Sequence, residues 1–281
     1  MSETYGDVYA LRAATRRGLM KSGGAVAWTR QSLQINPTDR IGVCMTEHQV
    51  VSRTEWIEAR RRFLAKEKEL TRLRDELSRE RRDLPWERVE KSYVFEGPTG
   101  KVTFDDLFAG KSQLVVYHLM FAPEAEAACR GCSFWADNFN GTIPHLEQRD
   151  VSFVAVSRAP VAKLQAFANR MGWTFKWVSC AGNDFNYDYQ ASFRAEDVSN
   201  GTALYNFERN TEQMPDKPGF SVFFKDKDAK GKAFHTYSTY ARGIDPMNVA
   251  FQLLDLVPKG RNEEGLPHPM SWVKLRDQYG A

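Results

Sequence analysis

Four cysteines stand in the 281-residue sequence, and two of them, Cys129 and Cys132, are separated only by Arg130 and Gly131. Two thiols three positions apart at the start of a helix can join without distorting the chain. Helix-forming residues follow the pair: Ser133, Phe134, Trp135, Ala136 and Asp137. A helix N-terminus carries unpaired N–H groups and about half a positive charge. A thiolate there is favoured over a thiol, and such settings lower a cysteine pKa from about 8.5 to between about 3.5 and 7.5. Arg130 adds a nearby cation. The chemistry expected is thiol–disulfide exchange, with Cys129 as the exposed nucleophile and Cys132, one turn into the helix, as the more buried resolving thiol.

Other uses of the pair are open to test. A zinc ribbon needs a second such pair, and the sequence has none. Soft thiolates favour Cu(I), so the pair could instead hold copper with a histidine, His118 or His235, completing the site. His118 falls late in the segment leading to the pair, where its side chain could approach the site. His235 lies 103 residues beyond Cys132. For both, a structural histidine is the plainer expectation. Cys44 and Cys180 are isolated, and lone cysteines usually behave as small buried hydrophobes. No G-x-G-x-x-G or Walker-type sequence occurs, so nothing points to a nucleotide.

Several elements must position the pair. Residues 114–121, Leu-Val-Val-Tyr-His-Leu-Met-Phe, form an apolar run rich in β-branched and aromatic residues, as in a strand buried on both faces. The pair comes next, and a helix through about Glu147 is expected after it. Residues 151–157 read as a second buried strand, and residues 162–171 as a second helix ended by Gly172. Residues 220–225 and 233–240 flank a polar Lys-Asp-Lys-Asp-Ala-Lys-Gly turn, hence a hairpin. Residues 246–256 form a last helix with Pro246 at its start. Upstream, residues 92–96 read as a short strand, 97–100 as a turn, and 102–107 as the lead into a short helix. This order implies an α/β sheet with helices on both faces and its first two strands parallel. Reactive groups in such a sheet belong at the carboxyl ends of the central strands, where the cysteine pair falls.

Before this domain, Ser52-Arg53-Thr54-Glu55 is a capping-box signature, and residues 54–83 contain no Gly or Pro. Trp56, Phe63, Leu70, Leu77 and Leu84 recur every seven residues, and Pro85 ends the run. The helix could lie on its own domain or pair with a second copy of the chain. Lys66 and Glu80 interrupt the second seam, which favours packing within the chain or a short homodimer contact. The expected organisation is an N-terminal extension over 1–50, a long amphipathic helix over 51–85, and an α/β domain over 86–281.

Composition agrees with an ordinary globular chain: 42% apolar, 12% aromatic and 27% charged residues. The net charge of +3, from 39 basic and 36 acidic residues, is too small to argue for nucleic acid or a membrane surface as partner. No apolar stretch is long enough to cross a bilayer, and the first 28 residues lack an apolar signal core. A cytoplasmic setting is expected, where a close cysteine pair is redox-active or metal-binding more often than structural.

The strings CSFWADNFNG (132–141), VSRAP (156–160), GNDFNYDY (182–189), FHTYSTYARG (234–243) and PMSWV (269–273) resemble those of a family catalogued as a domain of unknown function. The upstream segment RRDLPWERVEKSYVFEGPTGKVTFDDLF is similar to the same family, and the likeness covers residues 48–276. Members are described as predicted dithiol-disulfide oxidoreductases. The resemblance implies a thioredoxin-like fold, a cytosolic setting, and Cys129 and Cys132 as the active dithiol; separately, no cofactor is expected, with copper as the alternative. Its partner would be a thiol or disulfide, protein or small molecule. The sequence departs from thioredoxins in its Arg-Gly dipeptide and at Pro218-Gly219, where Gly219 rather than Pro218 falls at the usual cis-proline place. It departs from peroxiredoxins too: Pro123 precedes Cys129 by six positions with no Thr between them. A third use of the chain is as an adaptor that binds a partner through the 54–83 helix.

Overall fold

A computed structural model describes residues 48–226 and 232–280. Cys44, the turn at 227–231 and most of the 1–50 extension lie outside the described residues. The chain divides into two units, one ending at Glu80 and the other running from Arg81 onward.

The first unit contributes the helix α1, Arg53–Arg82, of 30 residues. Its start is the expected capping box: the Ser52 N–H donates to Glu55 Oε2 at 2.9 Å, and the Glu55 N–H donates to Ser52 Oγ at 3.3 Å. No residue of α1 is buried. None of the described helices is long and apolar enough to cross a membrane.

The second unit is built on an eight-stranded mixed sheet. Its strands are β1 (Glu87–Arg88), β2 (Val94–Gly97), β3 (Gly100–Thr103), β4 (Gln113–His118), β5 (Val151–Ser157), β6 (Lys176–Ser179), β9 (Gly219–Lys225) and β10 (Ala233–Tyr240). A separate two-stranded ribbon supplies β7 (Leu204–Tyr205) and β8 (Glu208–Arg209). The order across the large sheet is β1-β10-β9-β4-β5-β6-β2-β3. Strand β4 is central, parallel to β5 on one side and antiparallel to β9 on the other. Strand β10 returns antiparallel to β9. A parallel pair joined through helices, followed by an antiparallel hairpin on the far side of the first strand, is the thioredoxin-like arrangement.

Helices cover both faces. On one side lie α3 (Arg130–Ala136), α5 (Val161–Met171) and α8 (Val249–Leu254); on the other lie α2 (Phe104–Leu107) and α6 (Phe185–Asp188). The remaining helices are α4 (Ile143–Glu147) and α7 (Ala195–Asn200). The strand pleat alternates side chains between the two cores: Tyr117 and Leu119 face α3, while Leu114 and Val116 face α2 and α6. Gly172 closes α5 with φ of 64°, a conformation glycine adopts without steric cost.

Two expected helices are reshaped by their end groups. The helix after the cysteines breaks in two, because the Asn138 amide donates to the Phe134 and Trp135 carbonyls at 2.8 and 3.0 Å and so ends α3. The last helix starts at Asn248 rather than Pro246. The Asn248 side chain accepts from the Phe251 N–H at 3.2 Å, and Pro246 falls in a preceding 3-10 turn, Ala241–Met247.

Candidate active site

Cys129 is the residue that opens α3, and Cys132 sits one turn inside it. Strand β4 holds the pair through two backbone contacts. The Cys129 N–H donates to the Met120 carbonyl at 3.0 Å, just past the end of β4, and the Tyr117 hydroxyl donates to the Cys132 carbonyl at 3.0 Å. Ser133 turns back onto the Cys129 carbonyl with its N–H at 2.8 Å and its hydroxyl at 2.9 Å. Deeper in α3, the Trp135 indole donates to the Ile244 carbonyl at 2.8 Å and packs edge-on against Phe251. The helix start is thereby fixed to the carboxyl end of the central strand.

The two thiols differ in environment. Cys129 is half-buried, whereas Cys132 is buried, and neither is joined in a disulfide. Burial pushes the Cys132 thiol well above its ordinary value, and a hydrogen bond to the Cys129 sulfur holds the proton on it more firmly. Burial likewise pushes up the Tyr117 phenol, so it remains a donor. Arg130 is exposed. Cys180 is buried elsewhere, after β6, with its thiol pushed up to about 12 by burial.

The histidines proposed to complete a copper site are not gathered at the sulfurs. His118 follows Tyr117 in β4, so the pleat turns it to the opposite face of the sheet. There it stacks on Phe185 and spends both ring nitrogens, Nδ1 on Asn186 Oδ1 and Nε2 on Ser221 Oγ, each at 2.9 Å. The contacts continue from Ser221 Oγ to Ser238 Oγ at 2.9 Å and from Ser238 Oγ to His235 Nε2 at 2.7 Å. His118 and His235 therefore share one network with each other. Burial holds the His118 pKa down at about 4 and lowers that of His235. Among the described residues, no three His, Cys, Asp or Glu side chains cluster so as to hold a metal ion.

Sequence reasoning missed Tyr117, whose hydroxyl bonds to the Cys132 carbonyl, and an ion pair just past β5. No signal in the sequence marks Tyr117, because the almost uniformly apolar run 114–121 carries no alternation from which to assign its face. Arg158 lies in the VSRAP string just past β5 and makes a two-pronged bond to Asp216, at 2.7 and 2.9 Å, with Ser192 donating to the same carboxylate at 2.6 Å. Arg158, Asp216, Met120 and His118 line a crevice too narrow to hold a water molecule. Pro218 is preceded by a trans peptide. Gly219, the first residue of β9, pairs with His118, and a β-carbon placed on it would come within 2.3 Å of the Tyr240 ring.

Three solved structures are similar to parts of the chain. Peroxidoxin BcpB from Mycobacterium tuberculosis is 15% identical, covering 58% of this chain and 93% of its own, with a TM-score of 0.39. A cysteine-to-serine mutant of peroxiredoxin Q from Xanthomonas campestris is 14% identical, covering 57% and 90%, with a TM-score of 0.38. A yeast mitochondrial 1-Cys peroxiredoxin is 16% identical, covering 61% and 78%, also with a TM-score of 0.38. No curated protein matches the chain. The match that spans most of the sequence, residues 45–279, is to a family, and the chain belongs to it: the bacterial proteins of unknown function designated DUF899.

Proposed function

We propose that the protein is a thiol–disulfide oxidoreductase whose working pair is Cys129 and Cys132. The observation that carries this reading is the asymmetry of the pair: a half-buried sulfur at a helix start and, one turn in, a buried thiol whose burial favours its protonated form. A sulfur so placed gains from the helix-end N–H groups when it carries negative charge. Its partner keeps the proton until it is needed.

In the proposed cycle the Cys129 thiolate attacks one sulfur of a substrate disulfide. The substrate S–S bond breaks, a Cys129–substrate disulfide forms, and the other substrate sulfur leaves as a thiolate that takes up a proton. Cys132 then gives its proton to the departing substrate sulfur and attacks Cys129. The mixed disulfide breaks, and the Cys129–Cys132 bridge forms. Two electrons pass from the protein to the substrate, which ends as two thiols; a dithiol reductant returns the protein to its starting state. Such a cycle suits a reducing compartment, so we place it in the cytoplasm. A copper-holding alternative retains the two sulfurs alone, because the ring nitrogens of His118 are already bonded on the other face.

The test is turnover of a small aromatic disulfide with excess dithiol, in wild type and in Cys129→Ser and Cys132→Ser variants. Cys129→Ser should abolish turnover. Cys132→Ser should stop after one event and accumulate a covalent adduct on Cys129, visible as added mass that reductant removes. Turnover that survives in Cys129→Ser would refute the mechanism.

A further inference from the structure

The helix α1 carries an apolar line that the proposed redox chemistry does not use. Trp56, Phe63, Leu70 and Leu77 follow one another at intervals of seven and are 51, 56, 49 and 55% exposed. Leu73 beside them is exposed as well. A row of this length on a 30-residue helix exceeds the scattered apolar residues usual at a protein surface.

What the row fits is decided by the charges flanking it. One position before Phe63, Leu70 and Leu77 stand Arg62, Glu69 and Glu76; four positions after Trp56, Phe63, Leu70 and Leu77 stand Arg60, Glu67, Arg74 and Arg81. In a parallel two-stranded coiled coil, a residue on the first flank meets the residue five positions further along on the partner's second flank. Each such pair here joins opposite charges: Arg62 with Glu67, Glu69 with Arg74, and Glu76 with Arg81. Antiparallel pairing sets each flank against itself. In the register that overlaps the whole row, it places Glu67 against Glu67, Glu69 against Glu69 and Arg60 against Arg74.

We infer that α1 is the surface on which a second copy of this chain docks, as a parallel, in-register pair of helices. The inference is independent of the redox reading. The second seam, Ala59, Lys66, Leu73 and Glu80, sets its strength: Lys66 and Glu80 must lean outward to keep their charges in water, which weakens the contact while fixing its register. Within one copy, Glu67 already meets Arg60 at 2.7 Å, and the Arg81 guanidinium lies 4.8 Å over the Tyr237 ring. A stacked guanidinium retains in-plane N–H donors for an acid. Because both chains run the same way, both downstream domains leave the same end of the pair.

Sedimentation equilibrium of the full chain, over a concentration series up to its solubility limit, tests this. Wild type should approach twice the monomer mass of 32.1 kDa, and Phe63→Glu with Leu70→Glu should remain at the monomer mass. Glu69→Arg alone and Arg74→Glu alone should each weaken association about tenfold, and the two together should restore it to within about threefold. Antiparallel helices would not bring residues 69 and 74 together, so the double exchange would restore nothing. All these residues lie outside the cysteine site, so unchanged alkylation of Cys129 shows that the variants are folded. A wild type that is monomeric throughout, a dimer that survives Phe63→Glu with Leu70→Glu, or a double charge exchange that fails to restore association would each overturn the inference.

Discussion

The two faces of the central sheet solve different problems with the same strand. On the α3 face, β4 offers Tyr117 to a helix that carries the sulfurs, within an aromatic surround that includes Phe139, Phe153 and Phe220. On the α6 face, the next residue, His118, starts a row of side-chain hydrogen bonds through Ser221 and Ser238 to His235, which reaches the exposed Glu87. Burial of Cys132 favours its protonated form. The histidine face satisfies every polar atom it turns inward along that row. Adjacent residues in one strand thus separate the thiols from the histidines, and the separation is the pleat itself.

Breaking each face should therefore read out differently. The largest effect is expected on the sulfur side, from Trp135→Ala. Losing a fully buried indole and leaving the Ile244 carbonyl without its donor should cost about 3–5 kcal/mol, measured by chemical denaturation. A loss below about 1 kcal/mol would mean that α3 is not anchored by this residue.

The histidine side should reveal itself through pH. His118 is held neutral in the fold, with its pKa at about 4 against an ordinary 6.5. Below 6.5 the unfolded chain binds the proton that the folded chain refuses, so stability is complete above that pH and is lost as pH falls toward 4. At about 1.4 kcal/mol per unit, this amounts to roughly 2–4 kcal/mol. Denaturation of wild type and His118→Asn at about pH 7 and about pH 4 should show their difference narrowing by that amount. A constant difference would remove His118 as the source.

The smallest effect belongs to the outer end of the row. Glu87 lies 3.3 Å from His235 with its side chain 77% exposed, so Glu87→Gln should change stability by no more than about 0.5 kcal/mol. A larger loss would show that the row is organised from its solvent end.

Much of this architecture is legible in the sequence. The β-branched run of β5, the stop of α5 at Gly172 and the hairpin of β9 and β10 are each signalled by local chemistry. So is the position of Cys129 and Cys132 at a strand-to-helix junction. The face of His118 is not, because residues 114–121 are almost uniformly apolar, and a strand buried on both sides carries no alternation from which to assign parity. Strand β6, Lys176–Ser179, is hidden by its shortness, and its place beside β5 is fixed only by long-range pairing. The two reshaped helices turn on Asn138 and Asn248, whose side chains act on backbone groups that become unsatisfied only once the helix ends exist. The sevenfold spacing of α1 is, by contrast, plain in the sequence, because a long helix without Gly or Pro keeps its period.

The glycine that begins β9 has a consequence for how this family can diversify. Because the Tyr240 ring fills the space a β-carbon would need at Gly219, no side chain can be added there without displacing that buried ring. This seam between strands is thereby closed to larger residues, whatever changes in the loops around it.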